Sequence, residues 1–328
     1  MMQGKIALEE HFAVPETALN PRGTYSHHSW AELERRLLEL HDERLTLMDR
    51  HGIEMMVVSL NAPAVQSIPD PKAAVALARK ANDALAEQIA RRPDRFQGLA
   101  AVAMQDPDRA IGELERAVTQ LGFKGVLVNG FSQIGDPDNA VYYDLPQYRP
   151  FWAAVERLGV PFYLHPRSPL ARDARLYDGH PWMMGAAWGF GNETAVHALR
   201  LVGSGLFDEH PRLAIVLGHL GENIPFGLWR IDHCNATADK TDGHRAKRKI
   251  ADYIRENFYV TTSGNFSTPS LILTMRELGA DRVMFSVDWP FEEIEHATRW
   301  FDAVDISESD RLKIGRTNAA RLLKLGLN

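Results

Sequence analysis

Short runs rich in β-branched and apolar residues recur along this chain at Lys5–Glu9, Met55–Leu60, Gly98–Met104, Gly125–Val128, Pro161–Leu164, Leu213–Leu217, Tyr259–Thr262 and Val283–Ser286. Between them lie stretches whose apolar residues fall three and four apart, the spacing of one helix face, as at Trp30–His51, Lys72–Arg91, Asp108–Leu121, Tyr148–Leu158 and Thr194–Phe207. Strand and helix in alternation imply a parallel sheet with right-handed crossovers. Eight such units in 328 residues fit a closed barrel better than an open doubly wound sheet, and no Gly-x-Gly-x-x-Gly follows the first run as a dinucleotide fold requires. The expected fold is an α/β, (β/α)8 TIM barrel occupying residues 1–328 as one domain. Residues 168–191, which contain Asp178-Gly179-His180-Pro181-Trp182, are too long for a simple connection between strand and helix. They are expected to be an inserted loop, part of a lid or a subunit contact.

Composition narrows the function classes. An apolar fraction of 45% and a charged fraction of 24% are those of an ordinary globular protein with a large core. The net charge of −6 is dispersed, and the densest basic stretch, His244–Lys249, is short and lacks aromatics that could stack on bases, so no nucleic-acid partner is expected. Cys234 is the only cysteine, which excludes an intramolecular disulfide and a multi-cysteine metal site and fits a reducing compartment. No stretch approaches the roughly 18 uncharged apolar residues of a membrane span, and the first residues show no apolar signal region. The expectation is a cytoplasmic protein without a membrane partner.

In such a barrel the catalytic groups stand at the C-terminal ends of the strands, so polar residues that end the eight runs are the candidates. The first run ends Leu-Glu-Glu-His, the fourth Val-Asn, the fifth Leu-His-Pro-Arg, the sixth Gly-His-Leu-Gly-Glu, the seventh Thr-Thr-Ser-Gly-Asn and the eighth Ser-Val-Asp-Trp-Pro. Glu9 and His11, two apart on a strand, leave by the same face, whereas Glu10 points the other way. Taken alone, Glu-x-His is a common spacing, a histidine placed like His165 is more often a hydrogen-bonded core residue than a ligand, and Asp288 at the mouth of a buried strand must be paired, protonated or metal-bound. Converging at one barrel mouth, two imidazoles and two carboxylates supply a complete ligand set for one divalent cation. Two carboxylates nearly cancel the charge of the ion, and an oxygen-rich set suits Mn2+ or Zn2+; chelation of a substrate with two adjacent oxygens favours the octahedral Mn2+. No organic cofactor is implied.

His219 ends the sixth run and Glu222 follows three residues later, which reads as an acid/base or substrate-orienting pair, or as a structural histidine beside a capping glutamate. Asn129 and Arg230 are further candidates for binding substrate oxygens.

At these residues the chain resembles the amidohydrolase superfamily, and within it the decarboxylase branch that includes the γ-resorcylate (2,6-dihydroxybenzoate) decarboxylases. The resemblance runs through Ala-Leu-Glu-Glu-His-Phe at 7–12, Val-Asn-Gly-Phe-Ser-Gln at 128–133, Tyr-Tyr-Asp-Leu-Pro-Gln-Tyr-Arg-Pro-Phe-Trp at 142–152, Tyr-Leu-His-Pro-Arg at 163–167 and Trp-Arg-Ile-Asp-His at 229–233. It implies metal ligands at Glu9, His11, His165 and Asp288, an active-site histidine at His219 with Glu222 beside it, and a homotetramer or dimer. In such an assembly Arg230 or the aromatics of 182–190 could complete a neighbour's site. The chain departs from the superfamily's hydrolases at the first run, Glu-Glu-His in place of His-x-His, and at Asn129, where binuclear members carry a bridging lysine or carboxylate. The implied activity is nonoxidative, reversible decarboxylation of a small aromatic carboxylic acid, 2,6-dihydroxybenzoate first. The alternatives are 2,3-dihydroxybenzoate, salicylate or 5-carboxyvanillate, then hydrolysis at the same mononuclear metal, and last a catalytically silent binding barrel. Asp288 is the first choice of proton donor and His219 the second.

Overall fold

A computed structural model describes residues 1–19, 27–237 and 244–327. All eight expected runs carry a barrel strand: β1 Lys5–Phe12, β2 Ile53–Leu60, β3 Phe96–Ala100, β4 Gly125–Asn129, β7 Phe162–His165, β8 Ile215–Leu217, β9 Phe258–Thr261 and β10 Val283–Met284. They form one sheet in the order β1-β2-β3-β4-β7-β8-β9-β10 in which every neighbouring pair is parallel. The ladder is nearly a closed barrel, with β1 and β10 facing each other across the seam. An antiparallel hairpin, β5 Ser132–Ile134 with β6 Asp136–Val141, interrupts the connection after β4. The sequence carries no strand signal there, because β6 is built from exposed polar residues rather than an apolar run.

The helices follow their apolar stripes. Pro71–Arg91 buries Ala74, Ala78, Ala81, Asn82, Leu85 and Ile89 along one side, and the Asp70 carboxylate caps it by accepting from the amides of Lys72 and Ala73. The expected helix over Trp30–His51 is two, His27–Leu38 and Glu43–His51, because the Glu39 carboxylate captures the amides of Asp42 and Arg44 that a continuous helix would have used internally. The expected helix over Thr194–Phe207 starts earlier, as Gly189–Gly203, and Gly205, with φ of 78°, separates it from the short helix Leu206–Glu209. Among the described residues no helix is long and apolar enough to cross a membrane.

Two apolar clusters share the strands by alternation. Ile6 and Leu8 of β1, Met55 and Val57 of β2, Leu127, Tyr163, Val216 and Met284 fill the barrel interior and pack on Ala319 and Leu323. Ala7, Phe12, Met56, Val58, Val126, Val128, Phe162 and Leu164 face outward into the helix layer. On β1 the alternation slips. Ala7 pairs with Met56 and Glu10 with Val58, so three steps on β1 oppose two on β2. This bulge lets Leu8 and Glu9, neighbours in sequence, both face the barrel interior, and turns Glu10 outward.

Asn82 ties a helix to the rim of the sheet, donating 2.8 Å to the Ala101 carbonyl and accepting 2.8 Å from the Ala101 amide. Asn82→Ala strands both buried backbone groups. The expected outcome in urea unfolding is a lower midpoint, equivalent to about 2–4 kcal/mol.

Candidate active site

Four side chains from three strand ends meet at the barrel mouth. One ligand atom each from Glu9, His11, His165 and Asp288 lie within 4.8 Å of one another. Glu9 and His11 stand on β1, His165 ends β7, and Asp288 follows β10 on a backbone with φ of 83°. The rings of His11 and His165 meet edge to face at 4.8 Å between centroids. His11 Nε2 lies 3.1 Å from Asp288 Oδ1, and His165 Nε2 lies 3.2 Å from Glu9 Oε1.

The surroundings divide the Glu9 carboxylate into two unlike oxygens. Oε2 accepts from the hydroxyls of Tyr163, Ser263 and Thr261, the last at 3.2 Å. Oε1 is buried and has no hydrogen-bond partner. A carboxylate oxygen so deprived costs free energy unless a cation faces it. The histidines are prepared in the same sense. His165 Nδ1 lies 2.8 Å from the Pro166 carbonyl, which obliges Nδ1 to carry the proton and leaves Nε2 a lone pair. His11 Nδ1 faces Ser59 Oγ at 3.4 Å while its Nε2 faces the cluster. An orphaned oxygen, two imidazole nitrogens aimed inward and a second carboxylate together fit a divalent cation, and the oxygen-rich set fits a hard or borderline one.

His219 stands beside this cluster. Its Nδ1 lies 2.7 Å from Glu222 Oε1, and its Nε2 lies 3.6 Å from Asp288 Oδ2 and 3.9 Å from Glu9 Oε1. Burial disfavours the imidazolium, yet the carboxylates of Glu222 and Glu9 outweigh it and hold the His219 pKa well above the ordinary histidine value. Burial likewise opposes ionisation of Glu9 and Asp288, and the neighbouring imidazoles still hold both carboxyls below their usual range. The backbone from His219 to Asn223 is left-handed throughout, including non-glycine His219, Leu220, Glu222 and Asn223. Strain of this kind persists only where surrounding contacts enforce it. Two glycines make the space. A Cβ on Gly218 would stand 2.6 Å from Glu9 Oε2, and one on Gly264, whose φ is 57°, would stand 2.9 Å from His219 Cδ2.

A cavity of about 460 Å3 opens on the cluster, with His165, His219, Asp288, Arg167 and Gln133 in its wall and apolar cover from Leu19, Ala62, Pro63, Ala64, Phe190 and Phe291. Arg167 is held in place by Nη1 donating to the Phe131 carbonyl, Nη2 donating to Gln133 Oε1, and its guanidinium lying 4.1 Å over the Phe131 ring. Of the candidates from sequence, Asn129 is buried at the end of β4, paired in register with His165, and its Nδ2 donates to the Leu60 carbonyl. Arg230 is exposed on the helix Ile224–Thr237. Neither is among the residues that line the cavity. Of the segment 168–191, Ser168, Ala186 and Phe190 reach the cavity wall, while Leu176, Trp182 and Trp188 are exposed.

Sequence reasoning gave no role to Tyr163, Thr261, Ser263 or Arg167, although the last three stand in the polar ends of the seventh and fifth runs. The signal was present for Tyr163 and Arg167, because each is two residues from His165 and shares its face of the strand or lies on its extension. Thr261 and Ser263 are related in the same way, Thr261 ending β9 and Ser263 lying on its extension.

The family described as amidohydrolase matches residues 24–325. Gamma-resorcylate decarboxylase of Rhodococcus jostii (strain RHA1) is 64% identical over 327 residues, 99% of either chain. The crystal structure of a 2,6-dihydroxybenzoate decarboxylase complexed with 2,6-dihydroxybenzoate is 62% identical with a TM-score of 0.96, covering 98% of this chain and all 100% of that one. The dihydroxybenzoic acid decarboxylase of Polaromonas sp. JS666, solved with bound manganese and the inhibitor 2-nitroresorcinol, is 59% identical with a TM-score of 0.96, over 100% of this chain and 98% of that one. A barrel with this donor set at its mouth, matched over nearly its whole length, belongs to the amidohydrolase family, in the branch that holds the γ-resorcylate decarboxylases.

Proposed function

We propose that this chain is a metal-dependent carboxy-lyase that converts 2,6-dihydroxybenzoate, reversibly and without oxidation, to resorcinol and CO2. The observation that carries the reading is a four-donor cluster opening onto a largely apolar cavity of about 460 Å3, in a chain 64% identical to a γ-resorcylate decarboxylase. Glu9, His11, His165 and Asp288 are the residues that would hold one divalent ion, Mn2+ in preference and Zn2+ as the alternative. When bound, that ion supplies Lewis acidity and charge neutralisation, which an acid with a carboxylate and a phenolic oxygen side by side is suited to use.

The chain's own residues do the rest. The apolar wall confines one aromatic ring and keeps water from the carbon that is to be protonated. Glu222, bonded to Nδ1, holds the His219 ring so that Nε2 carries a proton and faces Asp288 Oδ2 at 3.6 Å. The proton passes from His219 Nε2 to Asp288 Oδ2 and from there to the ring carbon that bears the carboxylate. Its arrival interrupts aromaticity. Cleavage of the carbon–carboxylate bond then returns that electron pair to the ring, CO2 leaves, and His219 regains a proton from water. Direct donation by His219 is the second route within this reading. Neither Asn129 nor Arg230, the candidates for substrate oxygens, lines this chain's own cavity; Arg230 is assigned from its exposed helix to a neighbouring subunit's cavity, and Asn129 to the support of the β4 end beside His165. The chain is accordingly read as one domain, with 168–191 inserted at the mouth, in a cytoplasmic homotetramer or dimer.

Incubation of Mn2+-loaded protein with a panel of hydroxybenzoates, followed by ultraviolet absorbance and CO2 release, is expected to show 2,6-dihydroxybenzoate turned over at least about tenfold faster than its 2,3-isomer, salicylate or 5-carboxyvanillate. Faster turnover of another acid, or ester hydrolysis without CO2, would overturn the assignment. Asp288→Asn is expected to abolish turnover while metal analysis still finds substantial metal; robust residual activity would pass the acid role to His219. His219→Asn is expected to lower kcat by about 10²–10⁴.

A further inference from the structure

Glu10 is wholly buried and faces away from the cavity, where the bulge in β1 turns it. No sheet ladder joins β1 to β10, so β1, which bears Glu9 and His11, and the segment after β10, which bears Asp288, meet at the seam of the barrel. The Glu10 carboxylate spans that seam. Oε1 accepts from Ser286 Oγ at 2.9 Å and from the Val287 amide at 2.9 Å, and Oε2 accepts from the Trp289 amide at 3.1 Å. Ser286 Oγ in turn accepts from the Glu9 amide at 2.7 Å.

These bonds bracket Asp288, which sits on a left-handed backbone at φ of 83° that a non-glycine residue adopts only under constraint. Both peptide planes that meet at its Cα are held to β1. The plane before it is fixed by the Asp288 amide donating 3.0 Å to the Glu9 carbonyl, and the plane after it by the Trp289 amide donating to Glu10 Oε2. On the far side His11 N donates 2.7 Å to the Trp289 carbonyl, and the buried Arg44 guanidinium donates 2.7 Å to the His11 carbonyl.

We infer that Glu10 is a positioning residue for the metal site, stapling the segment that carries Asp288 onto the strand that carries Glu9 and His11. It touches none of the reacting atoms. Its effect is to set, together with the two backbone hydrogen bonds from Asp288 N and His11 N, the separation of two half-sites across a seam that no regular ladder closes. The inference rests on the reading of the cluster as a metal site.

The test titrates Mn2+ into wild type, Glu10→Gln and Ser286→Ala, with affinity and the Mn2+ paramagnetic resonance spectrum as readouts, alongside the melting temperature of each metal-free protein. The glutamine amide is isosteric but opposes one N–H to another at the seam. Glu10→Gln is expected to weaken Mn2+ binding by about tenfold to a hundredfold and to alter the spectrum of the bound ion. Ser286→Ala, which keeps two of the three Glu10 contacts, covers the case in which Glu10→Gln fails to fold, and a smaller loss of several-fold is expected from it. Wild type that binds no Mn2+ would overturn the metal site itself. Wild type that binds, with variants of unchanged affinity and spectrum and only a lower melting temperature, would overturn the role of Glu10 alone.

Discussion

The site depends on how one buried carboxylate is divided. Three hydroxyls, from Tyr163, Thr261 and Ser263, converge on Oε2 of Glu9 and leave Oε1 with none. Donation to one oxygen locks the side chain's rotation, so the other is presented in a fixed direction toward His165 and His219. Burying such a group without a counter-charge costs several kcal/mol. The imidazoles gathered around it, and the cation their geometry fits, are the offset. Gly218 belongs to the same arrangement, since any Cβ there would occupy the space of Oε2.

Around this anchor the strand ends are held in conformations that a free chain would avoid. The left-handed run from His219 to Asn223 and the positive φ of Asp288 place the His219 imidazole 3.6 Å from the Asp288 carboxylate, on loops that follow β8 and β10. Their cost is borne by a rigid barrel whose interior is filled below the site by Ile6, Leu8, Met55, Val57, Leu127 and Met284. The division of labour is that of other barrels: one end packs, and the other end carries polar groups that packing alone would not tolerate. The carboxylates of Glu222, Glu9 and Asp288 make the local field negative, which holds the His219 pKa well above the ordinary histidine value and favours a cation beside it.

Much of this could be read from the chain in advance. Eight apolar runs separated by amphipathic stretches specify a parallel barrel, because strand and helix periods differ and each run is too short to be anything else. The rule that chemistry sits at strand ends then singles out Glu9, His11, His165, His219 and Asp288, and the folded chain brings their polar atoms together. The hairpin Ser132–Val141 escaped notice because β5 is three residues long and β6 is mostly exposed, so neither offers an apolar alternation to detect. The break in the helical stretch at Glu39 was equally hidden, since it is made by a side chain competing for backbone amides rather than by proline or glycine.

Sequence by itself determined the order of the elements, the faces of most strands and the identity of the donors, since these follow from local periodicity and from the chemistry of single side chains. Only the tertiary structure decided how the donors are aimed. The bulge at Leu8–Glu9 brings both residues inside and sends Glu10 to the seam. The hydroxyls that saturate one Glu9 oxygen come from residues that lie 154 to 254 positions away along the chain. Those relations are set by register across strands and by packing around the barrel, which depend on all eight strands at once and leave no trace in the spacing of any one of them.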